Sequence, residues 1–193
     1  DKILSYKKIL NLLGIGLPMG LQYSITAIGS VILQSAVNIL GSMYVASVAA
    51  AQKITVFFST PFDALGTTMA TYGGQKVGAK KFGRLNSGLF WGCLVGFIYS
   101  ALGFLFMFIF SKNLALLFIS KNETAAVIGQ IAENVRMFLL ANSGFYFLLT
   151  LVNAVRFMIQ GMGFSRTAIF AGVFELVGRA AIGIVFVPLF GFA

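Results

Sequence analysis

Charged residues are scarce in this chain, so those that interrupt long apolar runs are the first candidates for chemistry. Lys53 and Asp63 lie in one such run, Glu175 and Arg179 in another. A carboxylate held away from water can bind a proton or a cation, and in a membrane-spanning segment such groups mark substrate or ion pathways. Lys53, Thr60, Asp63, Thr67 and Thr71 fall within about 80° of one helix face at 100° per residue. Lys53 and Asp63 are ten residues apart, about 15 Å of helical rise, too far to pair directly. Each therefore needs another partner or a water-filled space, and a structural ion pair with a neighbouring helix is the competing role for Asp63. Pro61, between them, frees the carbonyl of Phe57 and permits a bend beside the carboxylate.

Two further sets accompany these. Gln22, Thr26, Ser30, Gln34 and Asn38 recur at every fourth residue, a slowly winding polar stripe on one helix side. Such a stripe either lines a hydrated cavity, the favoured reading, or hydrogen-bonds to neighbouring helices. Glu175 and Arg179 stand four apart with the acid first, the better order for a local salt bridge that makes both charges tolerable. Asn153, with Asn142 and Ser143, could line a cavity, and Glu133 with Arg136 is expected at an interface.

The elements that must position these groups are transmembrane helices. Of 193 residues, 59% are hydrophobic and 10% charged, with a mean hydropathy of +0.93. A soluble domain needs roughly a quarter of its residues charged. About 20 apolar residues cross a bilayer, and the runs give five spans near 12–39, 44–72, 85–111, 131–158 and 167–190. A polar turn at 38–42 separates the first two, and Gly88, Gly92 and Gly96 on the third signal close helix packing. The two spans that carry charges score lower in hydropathy than the rest.

Basic residues set the orientation. With the N-terminal end cytoplasmic, one side holds Lys2, Lys7, Lys8, Lys76, Lys80, Lys81, Arg84, Arg156 and Arg166; the other holds Lys112 and Lys121. That asymmetry follows the positive-inside rule. The net charge of +9 therefore reads as membrane topology, with the lipid bilayer as partner and no nucleic acid. There is no His, and the one Cys, Cys93, sits in an apolar run, which leaves no disulfide framework or metal set. No nucleophile–base constellation suggests an enzyme, and no cofactor is expected. A chain that begins at Asp1 without Met and ends in an apolar stretch reads as a piece of a longer protein.

Three segments together resemble the MATE (multidrug and toxic compound extrusion) transporters: GLPMGLQ at 16–22, ALGTTMATYGGQ at 64–75 before a basic loop, and Arg156 through Gly161 and Gly163 to Glu175 and Arg179. The resemblance covers essentially the whole chain. It implies an all-α membrane protein whose five helices form most of one six-helix lobe, the C-terminal one, of a twelve-helix transporter. It also implies a missing N-terminal lobe and twelfth helix, a location in the cell membrane, and antiport of small amphipathic, often cationic compounds against H+ or Na+. The sodium-coupled branch carries an acid eight positions after the proline of the first helix; here that position is Thr26, and the fourth span lacks that branch's carboxylate. The coupling carboxylate is then expected in the absent lobe, or at Asp63. Alternatives on the same architecture are a flippase for lipid-linked sugars, which would want a strongly basic cavity, and a non-transporting scaffold subunit.

Overall fold

The computed structural model describes residues 6–119 and 124–186. Long apolar runs without an interrupting turn become long helices, since in hydrocarbon every backbone N–H and C=O must be satisfied within its own segment. The order is α1 (Tyr6–Ile39), α2 (Ser42–Gly78), a 3-10 turn (Phe82–Arg84), α3 (Leu85–Phe118), α4 (Ala125–Gly144), α5 (Tyr146–Gly161) and α6 (Thr167–Ala181), closed by a π-helical turn (Ile182–Phe186). The chain is an all-α membrane protein. Among the described residues, α1 and α3 with its leading turn are each long and apolar enough to cross a bilayer, and the α4–α5 pair joins them if taken as one bent span. The charges on α2 and α6 take those helices below that mark, and α6 is also short. Residues 187–190 of the fifth expected span, and the flanking Lys2 and Lys121, lie outside the described residues.

The helix boundaries follow turn chemistry. Gly41, at φ 109°, takes the backbone conformation that ends α1 and starts α2, inside the expected 38–42 turn. Gly163, at φ 101°, does the same after α5. The fourth expected span is not one straight helix. It bends by 47° between α4 and α5, at Phe145, directly after Ser143-Gly144, a pairing that commonly kinks helices.

Glycines set the packing of α2, α3 and α5. A Cβ on Gly161 would overlap the backbone carbonyl of Ala70, and one on Gly74 would lie 2.9 Å from the Gly161 carbonyl oxygen. The α3 ladder performs as its spacing suggests: Gly88 faces Tyr72, Gly92 faces Met69, and Gly96 faces Thr150 and Leu65. Close approach of this kind maximises dispersion contacts where no hydrophobic effect is available.

Both helix irregularities meet in one aromatic node. Phe62, next to Pro61, has its ring 5.1 Å from Tyr99 and 5.1 Å from Tyr146, the first residue of α5. The Tyr99 hydroxyl donates to the Phe58 carbonyl at 3.0 Å, one residue beyond the carbonyl that Pro61 leaves without its helical donor. Beside it, Ser100 and Thr150 share a buried hydrogen bond of 3.0 Å.

The packing gives a paired expectation. Gly161→Ala should cost about 1–3 kcal/mol, because the obstruction is backbone. Gly129→Ala, whose new methyl meets nothing within 4 Å, should be neutral or stabilising by up to about 1 kcal/mol. Melting curves of the two purified variants check this; equal stability would remove the close α2–α5 contact.

Candidate polar site within the helices

Helices α1 and α6 pack along each other, and α2 packs on α5, but the α1 and α5 backbones do not come close. Long polar side chains fill the space between them. Gln22, 1% exposed, projects from α1 over Gly172 of α6, where a Cβ would meet it at 3.0 Å. With its amide oxygen toward the guanidinium, Gln22 accepts from Arg156 Nε at 2.7 Å and from Nη1 at 3.1 Å, with Nη2 also in contact. The Gln22 and Gln160 amides meet at 3.1 Å.

Glu175 is the hub of the same group. Its Oε1 accepts from Arg179 Nη2 at 2.8 Å and Nε at 3.2 Å, a fork that suits guanidinium geometry. Its Oε2 accepts from the Thr26 hydroxyl at 3.2 Å and lies 3.9 Å from Arg156 Nη1. Arg179 also donates to the Ser30 hydroxyl at 3.1 Å. Three helices thus meet at one carboxylate and two guanidinium groups.

The expected site residues sort into three sets. Gln22, Thr26, Glu175 and Arg179 come together, and the expected local salt bridge between the last two is present. Within the α1 stripe, Gln22, Thr26 and Ser30 bond to groups on α5 and α6, so the inter-helix role holds for these three. Gln34 instead donates to Asn38 at 3.1 Å within α1. Asn153 is buried on α5. Asn142 on α4 donates to Thr55 on α2 at 3.2 Å, a helix-to-helix bond.

Asp63 and Lys53 do not join the hub by direct bonds. Together with Thr60, Thr67 and Thr71 they form the exposed face of α2 that the spacing anticipated. The hydroxyls on this face are already committed as donors. Thr60 donates to the Val56 carbonyl at 2.9 Å, Thr67 to Ala64 at 2.9 Å and Thr71 to Thr67 at 3.0 Å. What they leave outward is oxygen lone pairs. Near Asp63 the α2 face is therefore a row of acceptors around a carboxylate.

Two members of the hub escaped the sequence reading. The sequence reading counts Arg156 only among the bases of the cytoplasmic side; its side chain is 18% exposed and is held inside the α1–α5–α6 junction. Gln160 is not among the expected site residues. The signal lay in the spacing of Asn153, Arg156 and Gln160, three polar residues at three- and four-residue steps on a short apolar helix.

Comparison with known proteins now bears on this arrangement. The family described as MatE matches residues 18–186. The chain is similar to a "Probable multidrug resistance protein YoeA" of Bacillus subtilis (strain 168), 24% identical over 113 residues that cover 58% of this chain and 24% of that protein. The chain thus matches about a quarter of the length of that curated relative. No solved structure matches.

The hub makes a stability prediction. Glu175→Gln leaves two guanidinium groups in a partly buried site without their shared counter-charge, and should cost about 1–3 kcal/mol. Arg179→Gln should cost less, since Glu175 keeps Thr26 and can draw on Arg156. Thermal unfolding in detergent of the two variants checks the order, and a Glu175→Gln protein as stable as the parent would show that the hub contributes nothing.

Proposed function

This chain belongs to the MatE family, and on that premise we propose that it supplies most of the C-terminal lobe of a secondary active antiporter that exports amphipathic cationic compounds in exchange for H+ or Na+. The cargo path runs between this lobe and a second one, across the open face of α2, in the cell membrane with the N-terminal end of α1 cytoplasmic. All five sequence-predicted spans cross the bilayer in this reading, α2 and α6 included.

One observation carries the proposal: the acceptor row on α2. A carboxylate flanked by hydroxyls whose protons are already donated to the backbone offers negative charge and lone pairs, and little to donate. Such a face favours a cation, whether organic or the coupling ion. It is also the face that the other described helices leave uncovered. The similar Bacillus protein is described as a probable multidrug resistance protein, which supports the same class of cargo.

The lipid-linked-sugar flippase is the weaker reading. A diphosphate needs basic charge that is free to receive it. Arg179 is bonded to Glu175, Arg156 lies between Gln22 and Glu175, and Lys53 is left as the exposed base of the α2 stripe.

Two measurements test this. Asp63→Asn in the full-length protein should reduce gradient-driven ethidium efflux by at least about tenfold, normalised to protein in the membrane, an effect of roughly 1.4 kcal/mol. Unchanged efflux by a well-inserted variant would remove Asp63 from the path. For topology, Ala79→Cys and Ser42→Cys, each in a Cys93→Ala background, should label with an impermeant thiol reagent from opposite sides of the membrane. Labelling of both from one side would invert or break the assigned orientation.

A further inference from the structure

One end of the helical assembly carries a cluster of bases that belongs neither to the polar hub nor to the α2 acceptor row. The turn from α2 to α3 holds Lys76, Lys80, Lys81 and Arg84, and all but Lys76 are exposed. Gly74 of α2 packs on the Gly161 carbonyl, and Gly73 on Met158 and Met162. The end of α2 therefore lies against the end of α5. That puts the 162–166 turn, with exposed Arg166, at the same end of the lobe. The sequence has no acid between Asp63 and Glu123, or between Glu133 and Glu175. The ion pairs among the described residues all use Glu133 or Glu175, and none includes these bases.

The turn is held in one shape. The Lys81 N–H donates to the Lys76 carbonyl at 2.9 Å and the Lys80 N–H to the Val77 carbonyl at 3.0 Å, the Schellman ending of a helix. The Tyr72 hydroxyl donates to the Arg84 carbonyl at 2.8 Å and ties the far side of the turn back to α2. Lys76 lies over the Tyr72 ring at 5.1 Å. The left-handed position of this ending falls to Lys80, at φ 57°, the one described residue other than glycine with a positive φ. Glycine takes that conformation freely, whereas a residue with a Cβ is strained there. An outlier of this kind is a sign of function. Apolar rings accompany the bases. Phe82, between Lys81 and Arg84, is 58% exposed, and Phe164, two residues before Arg166, is 64% exposed. Farther along α3, the exposed rings of Phe90 and Trp91 meet edge to face at 5.7 Å. Trp91 is six residues beyond Leu85, about 9 Å of helical rise, so bases and rings occupy successive levels along the helix axis.

We propose that this end of the lobe is a binding surface for anionic phospholipid, whose headgroup phosphate is held by Lys80, Lys81, Arg84 and Arg166. Phe82 and Phe164 enter the boundary between headgroups and acyl chains beside it, and Trp91 marks the interface one level deeper. The surface goes beyond the charge bias that orients a membrane protein. That bias needs only bases near the ends of the spans, in any geometry. Here the lysines stand on a fixed turn, with exposed rings beside them and no acid to compete. A nucleic acid or an acidic protein would meet the charges and leave Phe82 and Phe164 in water; a phospholipid satisfies both. Lipid bound across both turns also has a structural effect. The 162–166 turn joins α5 to the α1–α6 pair, so the lipid steadies that junction from outside. The proposal stands independently of the cation path on α2.

The test titrates purified full-length protein in dodecylmaltoside with dioleoyl phosphatidylglycerol or dioleoyl phosphatidylcholine and follows the melting temperature. Phosphatidylglycerol should raise it, and phosphatidylcholine with the same acyl chains should raise it much less. Lys81→Gln should increase the phosphatidylglycerol concentration needed for half the effect by about three- to fivefold. Lys80→Gln, Lys81→Gln and Arg84→Gln combined should increase it at least about tenfold. Lys112→Gln, toward the opposite end of α3, should leave it unchanged. Lys80→Gly separates charge from shape: freed of the left-handed strain, it should melt about 1–2 °C higher without lipid, yet gain less from phosphatidylglycerol. If the triple variant does not fold, Lys81→Gln and Lys80→Gly decide the matter. A parent protein that does not distinguish the two lipids overturns the proposal, as does an undiminished preference in the variants. Equal losses from Lys81→Gln and Lys112→Gln overturn it too, since net charge alone is then at work. Inorganic phosphate at the same concentration should neither stabilise the parent nor displace the lipid; if it does both, the site takes a free anion and the lipid surface is wrong.

Discussion

Glu175 accepts from Arg179 on its own helix and from Thr26 on α1, and lies within ion-pair distance of Arg156 on α5. Together with the contacts of Gln22 to Arg156 and Gln160, this carboxylate ties α1 and α6 to α5. The α1 and α5 backbones stay apart, so no close dispersion contact is available there, and apolar side chains gain little from meeting across lipid-like surroundings. A buried charge changes the balance. Once Arg156 and Arg179 sit inside apolar helices, each needs a partner, and Glu175 lies within ion-pair distance of both, which draws three helices together. Arginine suits the task better than lysine would. Its planar fork lets Arg156 use Nε and Nη1 on the Gln22 amide while presenting Nη1 toward Glu175.

The lobe is consequently held by two unlike kinds of contact. Between α2, α3 and α5, glycines bring backbones together until a single methyl would collide, as at Gly161 against Ala70. Such an interface has one good arrangement, since dispersion falls away within a fraction of an ångström. Between α1–α6 and the rest, amides, hydroxyls and guanidinium groups reach across a wider gap. Polar side chains of this length can exchange partners at little cost, because each lost hydrogen bond can be replaced by another nearby. A four-helix block of α2, α3, α4 and α5 joined to a two-helix pair through exchangeable polar contacts is the pattern expected where one part must move against another. The Phe62–Tyr99–Tyr146 node belongs to the rigid part: it clamps the Pro61 irregularity on α2 to the bend before α5, with Tyr99 capping a carbonyl beside the proline.

What was legible in the sequence was whatever a period or a gap in charge could express. The turn around Gly41, the α3 glycine ladder, the one-faced stripe of α2 and the Glu175–Arg179 pair all follow from spacing along one helix. Three features did not show. The bend at Phe145 depends on how Ser143-Gly144 is loaded by neighbouring helices, and the same letters occur in straight helices. Arg156 counts only as a cytoplasmic-side base because it lies two residues before the expected end of the fourth span at 158. The α1 stripe could not be divided between cavity and contact, because that division is made by α5 and α6. In each case the missing information concerned a partner helix, which periodicity within one segment cannot supply.

A final constraint comes from counting charge along the helices. Within the five runs the acids are Asp63 and Glu175, and the bases are Lys53, Arg156 and Arg179, leaving aside the Glu133–Arg136 pair near the start of α4. The interior is therefore positive by one, which by itself repels a cation. Yet the row of hydroxyl lone pairs around Asp63 is built as an acceptor surface. The two facts are compatible because the arginines are engaged away from that surface. Lys53 stands about 15 Å along α2 from Asp63, far enough for its field to weaken where water enters. Arg179 is locked to Glu175 by two hydrogen bonds. Arg156 is held against Gln22 and near Glu175 at the junction of α1, α5 and α6, so the carboxylate of Asp63 stands with its hydroxyl acceptors on the exposed α2 face.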